Sequence, residues 1–269
     1  MYTEEKAAMF FDLLFVEYND TGFLAEVARL FDREALFEGD GDRFPDRMRL
    51  RHVATHAGDI TLISKRDHAF VSPGNSLGFM DSGVDHALSR RMFPGCQPAL
   101  RSRIALMGME TALGRPYLRV GCAASLSFPE DGAYLIAAPT MFLPHNVSAT
   151  NNAFHAFYAA LGALSGLLTR EVSRDRVVTL VCPALCCGYG KMNPFESARQ
   201  IYAAYKAFSS SPVDVIKRSA LDAADDRTRA CAATFGYSVF LTASRDGEQP
   251  DNFDNREIKD TYDVHRAGF

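Results

Sequence analysis

Residues 70–85 read Phe-Val-Ser-Pro-Gly-Asn-Ser-Leu-Gly-Phe-Met-Asp-Ser-Gly-Val-Asp. The apolar run at 68–71, bounded by Pro73 and Gly74, predicts a buried strand that ends in a sharp turn. Gly74, Gly78 and Gly83 follow within ten residues. Val84, Ala87, Leu88 and Met92 then recur at helical spacing. The pattern is strand, Gly-bearing loop, helix. A helix starting after such a loop leaves backbone N–H groups free at the positive end of its dipole, which suits phosphate.

The pattern returns at 177–208. Val177-Val178-Thr179-Leu180-Val181-Cys182 predicts another buried strand. A second Gly-bearing loop follows, Pro183-Ala184-Leu185-Cys186-Cys187-Gly188-Tyr189-Gly190. Asn193 then fits a helix N-cap, Pro194 the first helical position and Glu196 the third position of a capping box. Upstream, residues 48–56 predict a strand ending in Gly58-Asp59-Ile60-Thr61. Taken alone, Asp59 reads as a turn residue that caps the next element.

Together these stretches resemble the macro domains, the ADP-ribose-binding module. Asn75, Gly83, Val84 and Asp85 match the first-loop pattern of that family at its usual spacing. Ser72 stands where the family usually has Asn, and Asp81-Ser82 where it usually has glycine. Gly58-Asp59-Ile60-Thr61 resembles the family's adenine-contacting turn. Pro183, Ala184 and Gly188 coincide with its second loop, with Cys186 and Cys187 in place of the usual Ser and Thr. The resemblance covers roughly residues 50–210.

The resemblance implies a three-layer α/β/α sandwich with a mixed central sheet, and ADP-ribose or an ADP-ribosylated substrate lying across both loops. It implies that Asp59, beside Ile60, accepts from the adenine amino group. Backbone N–H groups near Gly83–Val84 and across Cys187, Gly188, Tyr189 and Gly190 would hold the diphosphate. Asn75 would bond the distal ribose. Asp85 would orient or deprotonate a water for attack on an ADP-ribose conjugate, with no metal and no cofactor. The conjugate is left open among mono-ADP-ribosyl protein, O-acetyl-ADP-ribose and ADP-ribose-1''-phosphate. A non-catalytic ADP-ribose reader is the alternative.

The residues also have plainer readings. Asn75 suits a turn on its own account. Asp85 falls in a first helical turn, where the dipole keeps a carboxylate ionised and so favours placing a water over taking its proton. Cys182, Cys186 and Cys187 lack the spacing of a zinc site and read as small buried residues. The alternating Asp residues of 38–47 lack the full ligand set of a calcium loop.

Composition narrows the partners. With 47% hydrophobic and 23% charged residues, the chain suits a globular fold. A net charge of −4 gives no basic footprint for general nucleic-acid binding. No apolar run is long enough to span a bilayer, and the acidic start, Met-Tyr-Thr-Glu-Glu-Lys, is unlike a secretion signal. An intracellular, cytoplasmic setting with reduced thiols is therefore expected. The oligomeric state is not legible.

Elsewhere, residues 4–12 predict a short helix and 13–18 a strand. Asp20 or Thr21 is expected to cap a helix carrying Phe23, Val27 and Phe31. Residues 97–109 predict a helix, 117–128 and 134–141 strands, and 148–169 a long helix. Residues 1–212 are expected to form the macro-domain-like fold with an N-terminal strand–helix addition. Residues 213–269 form a polar C-terminal extension, expected to be partly disordered or to wrap the surface.

Overall fold

A computed structural model describes residues 9–32, 48–107, 109–170 and 176–209. The expected C-terminal extension, the acidic loop at 38–47 and residues 4–8 of the expected N-terminal helix lie outside the described residues.

Among the described residues six strands form one sheet: β1 (Met9–Glu17), β2 (Met48–Ala57), β3 (His68–Ser72), β4 (Ala124–Phe128), β5 (Ala133–Ala137) and β6 (Val178–Pro183). Their order across the sheet is β2-β1-β6-β3-β5-β4. All neighbours run parallel except β4, which pairs antiparallel with β5. The sheet is thus mixed, and β6 lies between β1 and β3. Among the described residues five α-helices accompany it: α1 (Phe23–Phe31), α2 (Gly83–Ala87), α3 (Cys96–Leu106), α4 (Asn152–Arg170) and α5 (Pro194–Ser209).

Both faces of the sheet are covered, so the central strands read as continuous apolar runs. Phe70, Val181, Leu135 and Val16 face one way, into a core completed by Leu88 and Met92 from the turn after α2 and by Leu100 and Ile104 from α3. Phe15 faces the other way, where its ring packs on Phe23, Phe31 and Phe157 of α1 and α4. It is fully buried, and burying a side chain of that size contributes about 1.5–3 kcal/mol. Helix, sheet and helix form the three layers of an α/β/α sandwich.

Three expectations need correction. Residues 9–12 are strand, because Met9–Glu17 pairs with both β2 and β6 and the ladders outweigh local propensity. The expected strand at 117–128 is strand only from Ala124, after a turn closed by the Cys122 N–H on the Arg119 carbonyl at 2.9 Å. The expected strand at 134–141 is regular only to Ala137. Beyond it the chain bends, yet Ala138 still donates to the Ser72 carbonyl at 3.0 Å and Thr140 to that of Gly74 at 3.1 Å.

The cap of α1 differs as well. Gly22 holds the N-cap position without a side-chain bond. Glu17, at the end of β1, accepts instead from the Thr21 N–H at 3.1 Å, the Thr21 hydroxyl and the Leu24 N–H at 3.4 Å. A strand residue thus satisfies the helix start. At α5 the expectation holds: the Asn193 side chain accepts from the Phe195 N–H at 2.9 Å.

Candidate functional site

Parallel strands β1, β2, β3, β5 and β6 end at one edge of the sheet, where ligands of open α/β sheets collect. Three segments meet there by hydrogen bonds. The first Gly loop joins the chain after β5: Ser76 donates to the Met141 carbonyl at 2.9 Å, and Asn75 forms a bridge with Met141. The second loop joins the same segment, with Val147 donating to the Gly190 carbonyl at 2.9 Å.

Thr140 ties the segment after β5 to the first loop. Its hydroxyl donates to the Pro73 carbonyl at 2.8 Å. Thr140 gives no signal in the sequence, because its partner lies 67 residues before it.

Asp85 stands on the first turn of α2, which continues without a break into one π-helical turn, Leu88–Met92. The carboxyl is partly buried. The buried Ser72 hydroxyl, at the end of β3, donates to Asp85 Oδ1 at 2.6 Å. The other oxygen, Oδ2, lies against Gly74, where a Cβ would come within 2.9 Å of it. Desolvation pushes the Asp85 carboxyl up to about 7, against the opposing Ser72 hydrogen bond, and the negative charge of Asp81 adds to the rise. This corrects the expectation that a first-turn carboxylate stays ionised: loss of water outweighs the short helix's dipole.

Asn75 serves its own loop. Its side-chain carbonyl accepts from the N–H groups of Leu77 at 3.1 Å and Phe79 at 3.3 Å, and its NH₂ donates to the Phe79 carbonyl at 2.9 Å. One amide hydrogen is left for a ligand. Gly83 opens α2 with φ +55, a conformation that favours glycine, and has open space beside it. Val84 packs against the core.

Asp59 caps a short 3₁₀ turn, Ile60–Leu62, by accepting from the Thr61 N–H at 2.9 Å. That bond, with help from Arg91, holds its carboxyl below the usual range. Arg91 donates to the second oxygen at 3.2 Å. Ile60 is buried and belongs to the core. The 3₁₀ turn packs on α2 and on the π-helical turn, which brings Asp59 to the flank of the first loop.

In the second loop Gly188 and Tyr189 are exposed, and a Cβ on Gly188 would meet nothing. Gly190 is the tight position. A Cβ there would lie 2.7 Å from Val147 Cγ2 and closer still to the Cys186 carbonyl oxygen. Burial pushes the Cys187 thiol up to about 11 and the Cys186 thiol to about 12, so neither is an activated nucleophile. Among the described residues no group of three His, Cys, Asp or Glu side chains is placed to hold a metal ion. No described helix is long and apolar enough to cross a membrane.

No family model matches the chain, and no curated protein does. Among solved structures it is similar to the macrodomain of Mycobacterium tuberculosis DarG, at 17% identity and a TM-score of 0.42, over 58% of this chain and 90% of that one. It is also similar to alphavirus P23pro-zbd, at 14% identity and a TM-score of 0.36, over 72% of this chain and 24% of that one.

Proposed function

We propose that the chain is a macro-domain-type protein that binds ADP-ribose and hydrolyses ADP-ribose conjugates. The observation that carries this reading is the Asp85 carboxyl: partly buried, held on one oxygen by Ser72, and placed directly after Gly83-Val84 at the sheet's ligand edge. A carboxyl brought up to about 7 is half ionised near neutral pH, the condition for an effective general base.

The proposed chemistry uses this chain's own groups. ADP-ribose lies across the two loops, its diphosphate against the backbone of Gly83–Val84 and Cys187–Gly190. Asp59 accepts from the adenine amino group, and the remaining Asn75 amide hydrogen meets the distal ribose. Asp85 takes a proton from a water while that water's oxygen bonds to the anomeric carbon. The leaving group departs with the electron pair of the broken bond. In an acetylated ribose the same water attacks the acyl carbon, the bond from that carbon to the ribose oxygen breaks, and the ribose oxygen leaves with its electron pair and takes up the proton from Asp85.

Two measurements test the reading. Titration calorimetry with ADP-ribose tests binding, and ribose 5-phosphate, lacking adenine, is expected to bind far more weakly. Turnover of mono-ADP-ribosylated protein, O-acetyl-ADP-ribose and ADP-ribose-1''-phosphate tests hydrolysis. Binding without product from any of the three makes the protein a reader. Absence of binding overturns the proposal.

A further inference from the structure

The two oxygens of Asp85 are treated differently by the protein. Oδ1 is fixed by the Ser72 hydroxyl at 2.6 Å. Oδ2 has no hydrogen-bond donor among the described residues, and it lies so close to residue 74 that only a glycine fits there, a Cβ coming within 2.9 Å of it. Ser72 is itself 2% exposed, at the last position of β3, thirteen residues before its partner. Its place in the ladder is set by β5, since Ser72 pairs with Ala137 and its carbonyl accepts from Ala138 at 3.0 Å. The hydroxyl is thus mounted on the end of a sheet strand and aimed at a carboxyl on a short helix.

We infer that Ser72 is a positioning residue for the proposed reaction, its hydroxyl turning the Asp85 carboxylate so that Oδ1 is held by the protein and Oδ2 meets the water. The inference rests on the reading of Asp85 as the base. A hydroxyl that donates to a carboxylate favours its ionised form, so Ser72 also limits how far desolvation raises the group. The titratable groups around Asp85 are Asp81 in the loop before α2, the Cys96 thiol of α3, and His86, exposed on the next position of α2. Asp81 opposes ionisation of Asp85, and burial with the nearby Asp85 charge pushes the Cys96 thiol up to about 11. Ser72 is therefore the side chain that favours the ionised base.

The experiment is an NMR titration of the full chain carrying ¹³C-labelled aspartate carboxyls, with the Asp85 signal identified by its loss in Asp85→Asn. The wild-type midpoint is expected near 7. Ser72→Ala is expected to move it upward by about one pH unit, the size of one lost hydrogen bond to a charged group. Ser72→Cys keeps the shape with a weaker donor and is expected to move it the same way. Ser72→Thr, which keeps the hydroxyl, restores the wild-type midpoint. Should Ser72→Ala not fold, the Cys and Thr variants carry the comparison. Equal midpoints in the folded variants overturn the inference. The titration needs neither ADP-ribose nor turnover, so failure of the ADP-ribose reading shows separately, as absent binding in calorimetry. Where turnover is present, the acidic limb of its pH profile is expected to follow the NMR midpoint, with KM unchanged.

Discussion

The Asp59 carboxylate and the Arg91 guanidinium meet at 3.2 Å, joining the turn after β2 to the π-helical turn after α2. The pair is largely exposed on the Arg91 side, so it contributes little to stability. Its significance lies in occupying the oxygen that an adenine amino group would need. If Asp59 recognises adenine, the ligand either displaces Arg91 or shares the oxygen with it. Asp59→Ala is expected to weaken ADP-ribose binding about ten- to hundred-fold, the cost of one hydrogen bond to a charged group. Calorimetry reads this directly. An unchanged affinity reduces Asp59 to the cap of its own 3₁₀ turn.

The second loop offers a paired test. Gly190→Ala forces a Cβ against Val147 and the Cys186 carbonyl, and is expected to destabilise the fold by about 1–3 kcal/mol in urea titration. Gly188→Ala meets open space and is expected to leave stability within about 0.5 kcal/mol. Gly188→Glu places bulk and negative charge beside the proposed diphosphate. It is expected to fold and to lose ADP-ribose binding; normal affinity in that variant removes the diphosphate from this loop.

Asp85→Ala separates hydrolase from reader. Proton transfer by a placed side chain supplies on the order of 10²-fold or more, so turnover is expected to fall by about that factor. Affinity for free ADP-ribose is expected to change little. A variant as fast as wild type moves the base to Asp81, the exposed carboxylate four residues earlier.

The raised Asp85 carboxyl also links stability to pH. Its ordinary value of 3.8 applies in the unfolded chain, and the folded value is about 7. Between these limits the folded state binds more protons, so stability falls as pH rises from about 4 to 7. Asp85→Asn removes that dependence. It is expected to match wild type at pH 4 and to exceed it by roughly 1–3 kcal/mol at pH 8. Thermal melts across that range check the sign.

Legibility in the sequence tracks the reach of each interaction. The runs ending at Ser72 and Pro183 are mostly apolar, and β3 and β6 lie within a residue of where they were expected. The Asn193 cap involves neighbours in the chain and was equally legible. The Glu17 cap of α1 was not, because a strand residue fills a role usually sought in the turn itself. Ser72 was legible only as a departure from a familiar pattern. Its meaning needs the fold, which brings β3 and α2 within a hydrogen bond. Thr140 was silent, since its bond to Pro73 depends on β3 and β5 ending side by side.

The place of β6 has a consequence for how the protein is made. Phe11 pairs with Val178, so strands far apart in the chain lie side by side near the middle of the sheet. Until the ribosome has released residues through Pro183, the strand that joins a β1–β2 ribbon to a β3–β5–β4 ribbon is missing. Each ribbon then carries a bare edge that the finished sheet conceals. Such distant pairing closes slowly and leaves apolar edges open to other nascent chains. Synthesis, more than the finished fold, is the stage at which this protein is exposed to misassembly.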